Sequence, residues 1–246
     1  MEYVYPCIVI ILFATLSGCG KTENSLTLQE YIESNDQWTP HDELIACALT
    51  NEGASEVQTL FYPRPFSTNF KVFRTEDLSG DPDDLTQFYE TEETPRFIFN
   101  NYMGSYDSDI NGPEHFVRVS YVSNDSLWYS KTITLKSNSE PTLEDDVINI
   151  DFSTSLNPIF TWEDNSTGDN IIYFHVIEDQ RGDAIMGVYT ENRMFQYYML
   201  DNVVLNVTRP GLVPSLEIGQ VYTYHLLGVD RENWVNLYLS RDFIVE

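Results

Sequence analysis

Residues 115–137 read "HFVRVSYVSNDSLWYSKTITLKS", and the period of this stretch decides the fold. Its two arms are rich in β-branched and aromatic residues, which suit a pleated, half-buried surface. Between them, Ser123-Asn124-Asp125-Ser126 supplies the residue types that make a tight reversal. The stretch therefore predicts an antiparallel hairpin. Outward from it the same grammar continues. From Leu44 the runs "LIACALT", "VQTLFYP", "FKVFRTE" and "RFIFNNY" precede the hairpin, separated by Gly, Pro, Asn and Asp clusters. A second set follows: "PIFTW", "NIIYFHVIE", "MGVYT", "FQYYML", "VYTYHLLGV" and "WVNLYLS". No long helical pattern is present after Leu44, so the chain predicts an all-β protein of short antiparallel strands. The polar, acidic, proline-containing stretch near "KSNSEPTLEDD" marks a division. The expectation is two tandem sandwich domains, 43–138 and 147–246, with 139–146 as linker. Each unit of about 100 residues is long enough to bury its own core.

Within the second unit, Leu216-Glu217-Ile218-Gly219-Gln220-Val221-Tyr222 has the spacing of a tyrosine corner, with Leu216 and Gly219 ahead of Tyr222. Ile218 stands where a proline is usual. Trp162 sits where a core tryptophan belongs on a second strand, and Tyr224, Leu226 and Gly228 alternate after the corner. Together these residues resemble a fibronectin type III domain over roughly 147–246. The resemblance implies a sandwich whose Tyr222 hydroxyl bonds backbone near Leu216 to Gly219. The first unit resembles the same immunoglobulin-like class without a corner motif.

The N-terminal stretch "LSGCGKTENS" admits two readings. A phosphate-binding loop needs a glycine five residues before Gly20, where Thr15 stands, and a helix after Thr22, where Glu23-Asn24-Ser25 follows. That reading fails. Upstream, "CIVIILFATL" is ten apolar residues, too short to span a bilayer but suited to a secretory core. Leu16-Ser17-Gly18-Cys19 resembles the lipobox of bacterial lipoproteins, although Met1 to Pro6 lacks the usual basic residue. The resemblance implies removal of 1–18 as signal peptide, lipid attachment at Cys19, and a tether over 19–42. Thr27 and Glu30 have capping-box spacing, so a helical turn or two is expected inside that tether.

Charge limits the partners. The 39 acidic and 13 basic residues give a formal charge of −26, which repels nucleic acid and anionic lipid. Membrane attachment is therefore expected through acylated Cys19 and not through a basic face. Of three cysteines, Cys47 alone would remain in the mature body, as a small buried hydrophobe between Ile45 and Leu49.

"DSDING" places Asp107, Asp109 and Asn111 like the opening of a calcium loop, but Arg118 occupies the closing position, leaving an acidic turn as the other reading. Arg181-Gly182-Asp183 lies where a hairpin needs turn residues. His175 and His225 fall on strands expected to be neighbours, both pointing outward if Phe174, Val176, Tyr224 and Leu226 fill the core. Hydrolase signatures are missing; the acidic pair Glu163-Asp164 sits in a turn-like setting. No cofactor, metal or catalytic residue is assigned. The expected function is a non-catalytic cell-envelope lipoprotein, on the outer membrane or cell surface, that binds an unidentified protein or glycan. Carbohydrate binding through exposed aromatics is the alternative, with Trp128 and Trp234, just beyond hairpin turns, as platforms. A hydrolase ranks last.

Overall fold

A computed structural model describes residues 25–50, 56–145, 147–154, 156–209 and 215–246. Cys19 and the lipobox lie outside the described residues. The first half holds helix α1 (Leu28–Glu33) and strands β1 (Thr39–Leu44), β2 (Ala46–Thr50), β3 (Glu56–Phe61), β4 (Thr68–Arg74) and β5 (Tyr89–Thr91). It continues with β6 (Arg96–Ile98), β7 (Met103–Asp109), β8 (Phe116–Ser123), β9 (Ser126–Ser130) and β10 (Ile133–Thr134). The second half holds β11 (Leu143–Asp145), β12 (Ile148–Asp151), β13 (Ile159–Trp162), β14 (Ile172–Asp179) and β15 (Ala184–Thr190). Then come β16 (Met194–Gln196), β17 (Val203–Asn206), β18 (Val221–Val229) and β19 (Val235–Ile244).

The 115–137 stretch forms the expected hairpin. β8 and β9 pair antiparallel, with Ser123 opposite Ser126. Asn124 and Asp125 take φ of 50° and 58°. Two consecutive left-handed residues match the right-handed twist of the flanking strands, and Asn and Asp tolerate that conformation best after glycine.

Four sheets result, in the orders β1-β9-β8-β4-β5, β2-β3-β7-β6, β11-β19-β18-β14-β15-β17 and β12-β13-β16. The first and third sheets repeat one plan. Each begins with a strand lying parallel to a late strand of its half, β1 on β9 and β11 on β19. Each then runs through a late hairpin, β9-β8 or β19-β18, to the fourth and fifth strands of its half, β4-β5 or β14-β15. The second and fourth sheets supply the facing layers, β2-β3-β7 and β12-β13-β16. The three-stranded sheet faces β19-β18-β14-β15 across the second sandwich.

Three buried clusters lie between the four sheets. One joins Val72, Val117, Val119 and Tyr121 to Ala48, Val57, Phe61 and Tyr106, inside the first sandwich. Another joins Phe160, Trp162 and Phe195 to Tyr224, Leu226 and Leu239, inside the second. The third links the halves: Cys47, Leu49, Leu60, Tyr102 and Met103 pack on Phe174, Val176, Tyr189, Leu227 and Val235. The sheets thus stack in four layers, and the inner two are buried on both faces. Each sandwich keeps a core of its own, and the third cluster joins them.

Two connecting segments are reassigned. Residues 25–42, expected as part of a tether, are built into the first half. Thr27 forms the capping box with Glu30, and α1 buries Leu28 and Tyr31 against Phe73, Phe88, Phe116 and Leu127 on the outer face of the first sheet. Leu28, Tyr31, Ile32 and Trp38 of this segment cover that face and pack in one cluster with Phe73 and Phe116. Within the expected linker 139–146, β11 adds a strand to the third sheet. Thr142 is held from both halves: its N–H donates to Thr50 Oγ1 at 3.0 Å and its hydroxyl to Val235 O at 2.7 Å.

Candidate functional site

The two expected aromatic platforms have different fates. Trp234 is fully buried, 0% exposed, and belongs to the core of the first sandwich although β19 belongs to the second. Its indole N–H donates to Glu140 O at 2.7 Å. Around it the β18–β19 turn is stitched to the first half, Thr134 N–H donating to Glu232 O at 3.0 Å and Asn233 Nδ2 to Thr132 O at 2.8 Å. Trp234 is a plug, not a ligand platform. A hairpin tip is normally at the surface, but this one meets another sheet.

Trp128 is half-buried and sandwiched. The His41 ring stacks on it with centroids 4.2 Å apart and planes 14° apart, and the Arg64 guanidinium lies 3.6 Å from the ring centroid. Two groups this close to one centroid cannot share a face, so both faces of the indole are covered. What Trp128 offers is support for Arg64, which leads to the feature the sequence reading missed.

A hollow of about 520 Å³ is lined by Tyr62, Arg64, Phe66, Phe70, Phe97, Asn101 and Arg209, with Pro63, Pro65 and Ser67. Its floor is aromatic: Phe70 packs edge-on against Phe97, with centroids 5.4 Å apart, and against Tyr121 at 5.9 Å. Its rim is the 62–67 loop between β3 and β4. Pro63 and Pro65 fix two backbone angles in that loop. Ser67 N–H and Oγ close it on Arg64 O at 3.3 and 2.7 Å, and Ser123 Oγ ties Pro65 O at 2.9 Å. Tyr121 Oη accepts from Arg64 N–H at 3.3 Å. At the tip, Phe66 is 86% exposed with φ of +63°. A bulky aromatic in the left-handed region is uncommon, and such strain concentrates where a ligand is met.

Electrostatics single out the same place. Most described cations are paired: Lys71, Arg74, Arg96, Arg118, Lys131, Lys136, Arg181 and Arg193 each lie within 4 Å of a carboxylate. Among the described residues four arginines, Arg64, Arg209, Arg231 and Arg241, make no such pair, and two of them, Arg64 and Arg209, line the hollow together. Each is held by an aromatic face, Arg64 on Trp128 and Arg209 at 5.5 Å over Tyr102, and Arg209 also donates to Asn101 O. A guanidinium stacked on a ring keeps its in-plane donors for an anion. In a chain of −26 charge, two unpaired cations in one concavity mark a place for negative charge.

The acid–base and nucleophilic groups that the sequence singles out are engaged in internal contacts. His175 and His225 do not share an outward face. Register sets His175 opposite Leu226 and His225 opposite Val176, so they point to opposite sides of a sheet covered on both. His175 is 0% exposed, its Nδ1 at 2.6 Å from Tyr224 Oη and its Nε2 at 2.8 Å from Thr190 Oγ1. Burial pushes its pKa down to about 3. His225 contacts Tyr238 Oη at 2.9 Å and Glu178 Oε2 at 3.0 Å. The Cys47 thiol is buried and pushed up to about 12. Asp164 of the acidic pair accepts from Ser166, Asn170 and Tyr173 at 2.6, 2.9 and 2.7 Å. Burial opposes its ionisation, but these donors hold its carboxyl below the usual range.

The acidic turn is likewise engaged. Asp107 receives both Nε and Nη2 of Arg96, at 2.7 and 3.1 Å, while Asp109 Oδ1 accepts from Asn111 N–H at 2.9 Å. Arg181 and Asp183 bracket the β14–β15 turn, where Gly182 takes φ of +85° and Arg181 pairs with Asp179 at 2.8 Å. Among the described residues no cluster of three or more His, Cys, Asp or Glu side chains is gathered for a metal. At the corner, Leu216 is buried, Gly219 has φ of +81°, and Glu217 N–H donates to Tyr222 Oη at 3.3 Å.

No family model matches the chain, and no curated protein matches it. Among solved structures it is similar to the chicken CNTN1 FN1–FN3 domains, at 11% identity and a TM-score of 0.31, covering 85% of this chain and 68% of that one. It is also similar to the glycoside hydrolase domain of Endo-D, Spr0440, from Streptococcus pneumoniae R6. There the identity is 10% and the TM-score 0.34, covering 83% of this chain and 36% of that one. The chain therefore spans about a third of the hydrolase domain's length, and neither likeness bears on activity or ligand.

Proposed function

We propose that this chain is a non-catalytic lipoprotein of the bacterial cell envelope, anchored through Cys19, that binds a partner at the hollow between the 62–67 loop and β6. The observation that carries the binding reading is the pairing of exposed Phe66 with two arginines that have no carboxylate partner among the described residues. The commitment of His175, His225, Cys47 and Asp164 to internal contacts supports a non-catalytic role. The lipobox resemblance supports the envelope location.

Metabolic labelling with a fatty-acid analogue tests the anchor: label is expected on the wild type and lost in Cys19→Ala. Label retained in that variant refutes the site. A screen of ester, peptide, glycoside and phosphate substrates is expected to show no turnover. Reproducible hydrolysis lost on changing a carboxylate or histidine refutes the non-catalytic reading.

A further inference from the structure

The hollow's chemistry narrows its ligand. Three features need a common partner: two guanidinium groups without carboxylates, an exposed phenyl ring at the rim, and an aromatic floor. Guanidinium donors recognise a planar carboxylate or a phosphate. Aromatic faces accept the apolar face of a ring or chain. The hollow sets both chemistries side by side, Arg64 and Arg209 lining it together with Phe66, Phe70 and Phe97.

The alternative occupant, an acidic peptide laid as an extra strand, needs a long open edge for main-chain pairing. The edge beside the hollow is β6, three residues long, Arg96–Ile98, and its Arg96 is occupied by Asp107. Recognition here must therefore rest on side chains. A volume of about 520 Å³ lies within the roughly 300–1,000 Å³ range of small-ligand clefts. That favours one compact, ring-shaped, negatively charged unit over an extended chain.

Resting on the reading of the hollow as the binding site, we infer that it takes a carboxylate-bearing sugar residue of an acidic glycan. The carboxylate meets the in-plane donors of Arg64 and Arg209, and the ring's apolar face lies on Phe66 or Phe97. The rigid 62–67 loop holds Arg64 and Phe66 in place before binding, which lowers the ordering cost. The negative surface elsewhere discourages binding of the same anion at other points.

The test is titration of the full chain, in mild detergent, with glucuronic acid, N-acetylneuraminic acid and short glycans ending in them. Neutral galactose, acetate and an acidic peptide serve as comparison arms, followed by calorimetry and by chemical shifts of the 62–67 and 96–101 backbone. Saturable binding of an acidic sugar is expected, with neutral galactose at least tenfold weaker. Arg64→Ala and Arg209→Ala are each expected to weaken it about tenfold or more, the loss of one charge-assisted contact. Phe66→Ala tests the ring contact without endangering the fold, since Phe66 is 86% exposed; at least a threefold loss is expected. Equal binding of neutral and acidic sugars overturns the inference. So does acidic-peptide binding that depends on Arg64 without any sugar binding, although that outcome keeps the hollow as a site. No shift in either segment with any probe overturns both readings.

Discussion

Trp234→Ala separates a stacked protein from two beads on a string. Trp234 opens the last strand of the second sandwich, yet it is 0% exposed within the core of the first, beside Ala48, Phe61, Val72 and Tyr106. Truncating a fully buried tryptophan to alanine costs about 3–5 kcal/mol through lost transfer energy and the residual cavity. Loss of the indole bond to Glu140 O adds about 1 kcal/mol. A loss of about 4–6 kcal/mol is a large share of the roughly 5–15 kcal/mol that holds a domain together. The assay is urea unfolding followed by far-UV circular dichroism, together with hydrogen exchange resolved by peptide. Protection is expected to fall in β3, β7 and β8 as well as in β18 and β19, because the cavity opens in the first half while the strand belongs to the second. A loss under about 1 kcal/mol would refute the plug. Weakening confined to β18 and β19 would refute the coupling of the two halves.

Other expectations are simpler. Tyr222→Phe removes the acceptor of Glu217 N–H and is expected to cost about 1 kcal/mol in the urea midpoint; an unchanged midpoint contradicts the corner. His175 stays neutral in the fold down to about 3, whereas the unfolded chain takes the proton near pH 6.5. The unfolded state therefore binds more protons as pH falls below about 6.5, and stability drops toward about 1.4 kcal/mol per unit. Denaturation midpoints measured between about pH 6.5 and 5 are expected to fall in the wild type and to flatten in His175→Gln. Equal slopes refute this. Cys47, buried with its thiol pushed up to about 12, is expected to resist a thiol reagent at mildly alkaline pH until urea unfolds the chain. Rapid labelling of the native chain contradicts that burial.

The sequence is most legible where a local rule decides the conformation. Asn124-Asp125 sits between two apolar arms, and the hairpin forms there; Thr27 and Glu30 are three apart, and the helix is capped there. Sidedness was not legible. Alternation identifies a buried face only when the other face meets water. Every residue of β15 is buried, and so is most of β18, because the third sheet has a layer on each side. Phe174 and Val176 turn to one layer while Tyr224 and Leu226 turn to the other. Taking both pairs as one core put the histidines on one face. Trp234 and the 25–42 segment failed for a related reason: a hairpin tip and a polar stretch with a few apolar residues are surface features until another layer covers them. The hollow left a fainter signal, the run Pro63-Arg64-Pro65-Phe66 between strands, an exposed aromatic beside a cation in a chain with few cations.

The repeated plan of the two halves explains why the hollow occurs in one of them. The loop corresponding to 62–67 in the second half runs from 163 to 171, between β13 and β14. There Asp164 gathers Ser166, Asn170 and Tyr173, and Asn236 reaches Asn170 Oδ1 at 3.1 Å. That loop is satisfied by its own side chains. The neighbouring turn of that half, between β18 and β19, is spent on the first half through Trp234. The equivalent turn of the first half, Asn124-Asp125, is exposed, and its loop carries a strained Phe66 and an unneutralised Arg64. A fold used twice thus has one copy whose loop end serves assembly and one whose loop end stays open, which is how a shared scaffold comes to carry a single site. Exchanging 63–67 for a neutral loop of equal length, with Tyr62 kept because it packs on the inner core, is expected to leave the unfolding free energy within about 1 kcal/mol, since no side chain of 63–67 belongs to a core cluster. It is also expected to abolish acidic-sugar binding. Full affinity in the exchanged chain would move the site elsewhere on the molecule.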